Sequence, residues 1–382
     1  MPARKLVLFA VVTGTLGKLL LAATTHGTND VDTFYNFGRF IADQGLAALY
    51  RADPLFNHLP LTGLFCALAM QLPAFWFVIR LPGILADIFT ALALLRIHER
   101  TGKPPRWVLV LFALSPLNLM VSGFHGNIDP VLVLALVLAA EACLNERAAA
   151  CGVWLALAVN LKVIALLVAP ALAFVWWRRG AFRSFALPAC ALALAGWAYP
   201  LLTVPREFIG HVLAYGSNWG SWGVTLLLRW FGGPDWSGMG YDQLTPAQIA
   251  VSRVLKLAIV ASSLVIAWTR RDRRGTEIFT TLSLVWLVFF VAAPGVGPQY
   301  LVWIAPFLAV STPRGYLLTT MTSAIFAFVF YHVVSQGRWF FANSTGDLVA
   351  RWEAWSLLPW LCFAGLLVFW KTLRSREAPA GS

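Results

Sequence analysis

The sequence predicts an all-α polytopic membrane protein, and three observations support this prediction. Of the 382 residues, 59% are hydrophobic and only 12% are charged. The mean hydropathy is +0.72. Apolar residues occur in long runs rather than in alternation with polar ones, and a helix needs about 20 largely apolar residues to cross a bilayer.

The formal net charge of +12 does not indicate binding to nucleic acid. Arg and Lys lie in short segments between the apolar runs, where they set the orientation of membrane spans. We therefore exclude nucleic acid as a partner and expect contact with membrane lipids. The five cysteines lack a paired or metal-binding spacing and are expected to be free thiols; they are Cys66, Cys143, Cys151, Cys190 and Cys362.

The apolar runs predict about twelve transmembrane spans. The first run follows Arg4 and Lys5 and is expected to be retained, because no small-residue cleavage site follows it. The run at 59–72 is too short for a full crossing, so it is either re-entrant or a short span. The predicted spans are residues 6–25, 76–97, 107–124, 130–144, 148–160, 163–177, 184–203, 251–268, 278–293, 300–310, 316–334 and 355–370.

Charged residues interrupt the first two of these spans. Lys18 lies in the outer half of the first span, where it either snorkels to the headgroups or faces a polar cavity. Arg80 and Asp87 lie two turns apart on one face of the second span. We expect both to face the interior of the bundle, because charges are costly in contact with lipid.

Basic residues alternate with spans in a way that orients the chain. All basic clusters fall on one side if residues 59–72 do not cross, which favours the re-entrant interpretation and places both termini in the cytoplasm. The clusters are Arg4 and Lys5; Arg96, Arg100, Lys103 and Arg106; Arg147; Arg178, Arg179 and Arg183; Arg270, Arg271, Arg273 and Arg274; Arg314; and Lys371, Arg374 and Arg376.

Unusual polar clusters collect on the opposite side. They occupy residues 26–36, 125–129, 160–162, 204–250 and 294–299. No soluble domain, repeat or low-complexity segment interrupts the chain, so residues 1–382 are expected to form one membrane domain. The sequence therefore predicts a functional site at the extracytoplasmic face.

The first of these clusters contains two carboxylates, Asp30 and Asp32, in a chain with few acids. Asp32 could simply cap a helix that begins near Thr33, since Asp is common at such positions. Apolar residues at helical spacing predict that this helix is amphipathic and lies on the membrane surface; they are Phe34, Phe37, Phe40 and Ile41. Alternatively, one carboxylate accepts a proton from a hydroxyl nucleophile, and the other orients that group or binds a divalent cation.

The other polar clusters also have two interpretations. His125, Asn127 and Asp129 form either a turn or a clamp for a sugar hydroxyl or a phosphate, and we weigh these evenly. Lys162 lies next to an apolar run, where it either snorkels or neutralises a lipid phosphate. Gln299 belongs to a polar segment that precedes a kinked helix.

The order of these motifs resembles the GT-C superfamily of integral-membrane glycosyltransferases, closest to the catalytic subunit of GPI mannosyltransferase I and its bacterial polyprenyl-phosphate-mannose-dependent relatives. The resemblance covers most of the chain. The motifs that carry it are Asp30, Val31 and Asp32; Gly45 and Tyr50; Asn57, His58, Leu59, Pro60 and Leu61; Asp87; Gly126, Asn127 and Asp129; Lys162; and Pro298, Gln299, Tyr300 and Trp303.

This resemblance implies a GT-C-like bundle of about twelve transmembrane helices, with amphipathic helices in the first extracytoplasmic loop. It also implies an inverting enzyme that moves a hexose, with mannose favoured, from a polyprenyl-phosphate donor to a glycan or glycolipid acceptor. A bacterial plasma membrane, with the active site on its extracytoplasmic side, fits this activity. The alternative is a transporter or flippase of a lipid-linked sugar, which would also need polar groups inside a membrane bundle.

The resemblance further assigns residues to roles. Asp32 is preferred as the general base, with Asp30 as the other member of the pair. No cofactor is certain, and a divalent cation at Asp30 and Asp32 stays open. The expected substrate-binding residues are Lys162, His125, Asn127, Asp129, Gln299, Tyr300, Arg80 and His58.

Overall fold

The computed structural model describes residues 3–215, 222–233, 244–334 and 353–370, together with residue 372. Every regular element in these residues is helical, which confirms the predicted all-α fold. The helical segments that are long and apolar enough to cross a membrane are Arg4–Thr24, Phe75–Thr101, Arg106–His125, Phe182–Thr203, Pro246–Thr269 and Pro313–Val333. The remaining apolar helices are shorter, so the number of crossings stays a prediction.

The first half of the chain begins with one long helix and continues through a compact group of short helices. A π-helix follows α8, and such helices are rare and occur mostly near functional sites. The elements are α1 (Ala3–Thr24), α2 (Asn29–Gln44), α3 (Leu46–Ala52), α4 (Pro60–Met70), α5 (Phe75–Val78), α6 (Leu81–Thr101), α7 (Arg106–Ala113), α8 (Pro116–Asn118), the π-helix (Leu119–His125), α9 (Asp129–Leu144) and α10 (Ala148–Leu161).

The second half completes the bundle. Helices α12 and α15 lie at its periphery, with exposed leucines such as Leu187, Leu202 and Leu257 on their outer faces. The elements are a 3₁₀-helix (Val163–Leu167), α11 (Ala169–Arg178), α12 (Phe182–Thr203), α13 (Pro205–Phe208), a second π-helix (Ile209–Leu213), α14 (Val224–Phe231), α15 (Pro246–Thr269), α16 (Glu277–Ala292), a second 3₁₀-helix (Pro298–Val302), α17 (Ala305–Ser311), α18 (Pro313–Val334) and α19 (Glu353–Val368).

Ion pairs of arginine connect helix ends at one end of the bundle, which we call the arginine end. Arg96 Nη2 lies 2.6 Å from Glu141 Oε2 and joins α6 to α9. Arg178 Nε lies 2.5 Å from Asp272 Oδ1 and joins α11 to the segment before α16. The basic loops that these pairs connect therefore share one end, and the opposite end, where α9 begins, is called the site end.

Two of the predicted loops lie partly outside the described residues. The last basic cluster, formed by Lys371, Arg374 and Arg376, falls outside them, and so do parts of the long polar loop at 204–250. Within the described part of that loop, the Trp222 indole donates to the carbonyl of Phe290 at 2.6 Å. This contact attaches the loop to the site end of α16.

Helix α4 does not connect the two ends of the bundle. It has 11 residues, which extend over roughly 16 Å at 1.5 Å per residue, whereas the hydrocarbon core is about 30 Å thick. Arg80, at the start of α6, donates from Nη1 to the carbonyl of Thr25 at 2.9 Å, just after α1. The segment between α1 and α6 thus leaves from and returns to the site end, as the re-entrant interpretation requires.

Helix α2 differs from the prediction in its start and in its surroundings. It begins at Asn29, with Thr28 as its N-cap, and not near Thr33. Its apolar face packs on α4, where a Cβ atom on Gly38 would lie 2.5 Å from the carbonyl oxygen of Cys66. The amphipathic face predicted to lie on the membrane is thus covered by protein; its buried residues are Val31, Phe34, Phe37 and Ile41.

A buried ion pair lies inside the bundle. Lys18 Nζ is 2.6 Å from Asp87 Oδ2, and the Ser122 hydroxyl donates to the same oxygen at 2.5 Å. Lys18 therefore neither snorkels nor faces an open cavity, because its charge is balanced by Asp87. Arg80 is also buried, so the prediction that Arg80 and Asp87 face the interior is confirmed.

The first testable prediction concerns orientation. In intact cells, single cysteines at Asn29 and Asp43, both exposed at the site end, should react with an impermeant maleimide. Cysteines at Lys103 and Arg274, exposed at the arginine end, should react only after the membrane is permeabilised, because the positive-inside rule predicts that the basic end is cytoplasmic.

This experiment uses a background in which Cys190 and Cys362 are replaced by alanine, since the other three cysteines are buried. The control for each position is this background protein without an added cysteine, treated with the same reagent. Labelling of Lys103→Cys from outside would place the arginine end in the extracytoplasmic space and contradict the topology.

The second prediction concerns the buried pair. Replacing one member leaves the other charge uncompensated, so Lys18→Met should reduce the stability in detergent by on the order of 3 kcal/mol. The double variant Lys18→Met, Asp87→Leu should recover much of this loss, because no buried charge is left. Thermal unfolding of the single variants, the double variant and the exposed control Lys5→Met measures the coupling. Additive effects of the two substitutions would show that the pair does not couple.

Candidate functional site

The polar residues identified in the sequence gather at the site end, carried by separate elements. Asp30 lies in the first turn of α2, His125 ends the π-helix, and Asp129 begins α9. Lys162 follows α10 directly, and Tyr300 lies on the second 3₁₀-helix. Residues that are far apart in the chain thus meet at one end of the bundle.

Asp30 is the carboxylate of the predicted pair that faces this group. Its Oδ2 atom accepts a hydrogen bond from Asn127 Nδ2 at 2.8 Å and lies 3.1 Å from His125 Nε2. Burial acts to raise the pKa of Asp30, but the charge and hydrogen bond of His125, the hydrogen bond of Asn127 and the charge of His58 outweigh it and lower the pKa to about 2. The carboxyl group is therefore ionised at neutral pH, and its side chain is still 31% exposed.

Asp32 faces away from the group. Its Oδ1 atom lies 2.7 Å from His26 Nε2, and its side chain is 54% exposed. Residues i and i+2 of an α-helix point about 200° apart, so Asp30 and Asp32 do not form one site for a divalent cation. Among the described residues, no group of three or more His, Cys, Asp or Glu is arranged to hold a metal ion.

Lys162 and Asp129 form a second ion pair in the site. Lys162 Nζ lies 2.8 Å and 3.0 Å from the two carboxylate oxygens of Asp129. The Trp303 indole also donates to Asp129 Oδ1, at 2.5 Å. Asp129 is completely buried, whereas the Lys162 side chain is 16% exposed. The buried carboxylate thus holds the lysine and the indole together.

Aromatic rings line the exposed side of this lysine. The rings of Tyr300 and Trp303 stack with their centroids 4.3 Å apart. Lys162 Nζ lies 4.7 Å from the Tyr300 centroid and 5.4 Å from the Trp303 centroid, which are cation–π distances. An ammonium group has three donors, and two of the contacts are to Asp129. One donor is therefore available on the aromatic side.

His58 lies between the two ion pairs. Its carbonyl accepts a hydrogen bond from the Tyr50 hydroxyl at 2.7 Å, and its ring packs against Phe34 at 5.3 Å. Burial and the charge of Lys162 lower the pKa of His58 to about 4, against an opposing effect of Asp30. His58 is therefore neutral at neutral pH, and it is close enough to Lys162 and Asp30 for both charges to act on it.

Two of the predicted substrate-binding residues are buried behind the site. His125 is 4% exposed and its ring nitrogens face Thr28 and Asp30. Arg80 is 1% exposed and packs against Gly27, where a Cβ atom would lie 2.0 Å from Nη2. Neither side chain reaches an open surface in this structure, so direct contact with a substrate stays a prediction for both.

Gln299 contributes a polar atom with no partner. Its Oε1 atom is buried and accepts no hydrogen bond within the described part of the chain. Thr28 and Tyr331 also belong to this group of residues but were not predicted from the sequence; the Tyr331 ring lies 5.5 Å from that of His125. Tyr331 is embedded in an apolar run, which gave no local signal of its place in the site.

Two grooves of about 570 Å³ open away from this group of residues. One lies between α18 and α19 and is lined mainly by apolar residues that include Leu361 and Phe369. The other lies at the arginine end, near Arg4 and His98. Neither groove is lined by a carboxylate that contacts a histidine and an asparagine, as Asp30 does. The candidate functional site is therefore the group of residues at the site end.

Part of the chain is similar to a known family of mannosyltransferases. No curated protein matches the chain. Residues 54–179, about a third of the chain, match the family model for "Alpha-(1->6)-mannopyranosyltransferase, N-terminal domain". This segment contains His58, Asp129 and Lys162 but not Asp30 or Tyr300. This part of the chain is thus similar to a mannosyltransferase family, which is consistent with the resemblance found in the motifs.

Proposed function

We propose that this protein transfers mannose from a polyprenyl-phosphate donor to the 6-hydroxyl of an α-mannoside in a glycan or glycolipid. The mannosyltransferase match supports the sugar, and the family's description as an α-(1→6)-mannopyranosyltransferase supports the linkage. The observation that carries the chemistry is the ionised carboxylate of Asp30, which is partly exposed and lies 3.1 Å from His125 Nε2.

The reaction is a single displacement at the anomeric carbon. The acceptor oxygen forms a bond to C1 while the C1–O bond to phosphate breaks, and the electron pair of that bond leaves with polyprenyl phosphate. Asp30 accepts the proton of the acceptor hydroxyl. Because the anomeric centre inverts, an α-linked product requires a β-linked donor. Phosphate leaves as an anion, so the step needs no second carboxyl group as an acid.

The low pKa of Asp30 determines when the proton moves. A carboxylate with a pKa of about 2 is a weak base, and a free sugar hydroxyl would not give up its proton to it. Once the oxygen has begun to bond to C1, its proton becomes strongly acidic, and transfer to Asp30 is then favourable. Asp30 therefore acts late in the displacement and is present in its reactive form throughout the neutral pH range.

Lys162 is proposed to contact the donor phosphate. One of its donors is directed toward the side lined by Tyr300 and Trp303, and a charge-assisted hydrogen bond to phosphate is roughly twice as strong as a neutral one. Asp129 already balances the charge of Lys162, so this contact orients the phosphate more than it adds net positive charge. The stacked rings supply an apolar surface for the sugar or the first prenyl unit.

Polar atoms around Asp30 and Tyr300 would bind sugar hydroxyls. Gln299 Oε1 has no partner among the described residues, and neutral His58 can both donate and accept. Asn127 is held in place, because its amide nitrogen donates to Asp30 and its oxygen accepts from the backbone of Ile128. We propose that the site end faces the extracytoplasmic side of a bacterial plasma membrane, opposite the arginine end.

The third prediction tests this function directly. Purified protein, given a short-chain polyprenyl β-phosphomannose and octyl α-mannoside, should form an α-(1→6)-linked dimannoside. Asp30→Asn should lower kcat about a hundredfold to ten-thousandfold, because loss of a general base typically has this effect. Asp32→Asn and the exposed control Asp43→Asn should retain turnover close to that of the unmodified protein.

Product linkage and anomeric configuration are read by NMR, and folding of each variant by thermal unfolding. If Asp32→Asn loses turnover while Asp30→Asn retains it, the base is Asp32, the residue preferred from the sequence. Movement of the intact donor across vesicles without a new glycosidic bond would contradict the transferase and support a flippase.

The fourth prediction concerns Lys162. Lys162→Met alone leaves buried Asp129 uncompensated, which destabilises the fold, so the informative variant is Lys162→Met, Asp129→Asn. It should fold and raise the KM for the donor at least about tenfold, which corresponds to 1.4 kcal/mol of binding. Lys256→Met serves as the control, because Lys256 lies on peripheral α15. An unchanged KM for the donor in the double variant would show that Lys162 does not contact the donor phosphate. Its role would then be only to balance the charge of Asp129.

A further inference from the structure

Thr28 occupies a capping position but does not cap its helix. It precedes α2 with extended backbone angles, φ −94° and ψ 174°, as an N-cap residue does. Its hydroxyl nevertheless makes no hydrogen bond to the first amides of α2, although such a bond typically contributes about 1 kcal/mol. The side chain is buried, with 1% of Thr28 exposed. Its hydroxyl is therefore directed elsewhere.

The hydroxyl contacts two atoms of His125. It donates to the backbone carbonyl of His125 at 3.0 Å, and its oxygen lies 3.2 Å from the ring atom Nδ1. A hydroxyl group has one hydrogen and two lone pairs. Since the hydrogen is used for the carbonyl, the oxygen can only accept from Nδ1. Thr28 thus selects the form of His125 that carries a proton on Nδ1.

The other ring nitrogen faces the proposed base. Nε2 of His125 lies 3.1 Å from Asp30 Oδ2. If only Nδ1 carried a proton, the lone pair of Nε2 would face a carboxylate, which is repulsive. A second proton on Nε2 removes this repulsion and creates an ion pair.

The groups around His125 agree with a charged ring. Asp30 of α2 is the acid in contact with it, and the Tyr331 ring of α18 lies beside it. Arg80, which directly precedes α6, packs against Gly126, with Nε 3.5 Å from where a Cβ atom would be. The Lys18–Asp87 pair contacts the same π-helix through Ser122, which precedes His125 in that helix. The two charges of this pair balance each other.

We propose that Thr28 and His125 are positioning residues for Asp30, an inference that rests on Asp30 being the base. Thr28 keeps His125 doubly protonated, and His125 and Asn127 together hold Oδ2 of Asp30. Within the described part of the chain, Oδ1 has no such partner, and it is the oxygen that receives the proton of the acceptor hydroxyl. His125 keeps both of its protons, and the proton on Oδ1 passes to water after the product leaves.

The test compares two substitutions of similar size. Thr28→Val keeps the branched shape but removes the hydroxyl, and Thr28→Ser keeps the hydroxyl. Thr28→Val should lower kcat on the order of tenfold to a hundredfold, since small misplacements of a reacting group have effects of this size. The KM values for polyprenyl β-phosphomannose and octyl α-mannoside should not change, and Thr28→Ser should restore kcat.

A spectroscopic measurement tests the proposed effect of Thr28 on His125 without substrate. In protein labelled with ¹⁵N-histidine, the signals of His125, assigned by their loss in His125→Asn, should show both ring nitrogens protonated at neutral pH. Thr28→Val should convert Nδ1 to the unprotonated form. An unprotonated Nδ1 in the unmodified protein, or identical His125 signals in Thr28→Val, would overturn the inference.

The two proposals fail in different ways. If Asp30→Asn abolishes transfer and Thr28→Val retains full kcat, the positioning role of Thr28 and His125 is refuted. The assignment of Asp30 as the base is then still supported. If Asp30→Asn retains full turnover, the base is refuted, whatever the histidine spectrum shows. Reduced kcat in Thr28→Val, recovery in Thr28→Ser and the predicted change at Nδ1 together support both proposals.

Discussion

The contact of the Arg80 guanidinium with the end of α1 is the interaction on which the site depends. The last carbonyls of a helix have no partners within it, and Arg80 Nη1 binds those of Ala22 and Thr25 at 3.0 Å and 2.9 Å. A cation at this place is also favoured by the helix dipole. Because the end of α1 is fixed to the start of α6, the chain turns at once into α2. Asp30 is thereby placed against the end of the π-helix.

The site is divided between a rigid support and a more accessible surface. Helices α1 and α6 and the π-helix are joined by the Lys18, Asp87 and Ser122 contacts well inside the bundle. Residues held on such elements are positioned more accurately than residues on loops. Tyr300 and Lys162, in contrast, lie next to short or interrupted helices and keep part of their surface exposed.

Much of the fold follows from local features of the sequence, whereas the pairing of charges does not. Lengths of apolar runs and the alternation of basic loops predict which ends lie together, and the structure agrees. The choice between Asp30 and Asp32 depends on where α2 begins, because a shift of the helix start changes which face each carboxylate occupies. Likewise, the pairing of Lys162 with Asp129 depends on how α9 packs beside α10, and one sequence does not report that packing.

The balance of charge in the site has a consequence for the end of the reaction cycle. Asp129 balances Lys162, and Asp30 faces His125, so each of these two side chains has a carboxylate beside it. Under the proposed function, a donor phosphodiester with one negative charge becomes a phosphomonoester with close to two at neutral pH. A strongly cationic pocket would retain that more highly charged product. Under the proposed function, pairing each of these cations with a carboxylate weakens the hold on the spent lipid carrier and would favour its release.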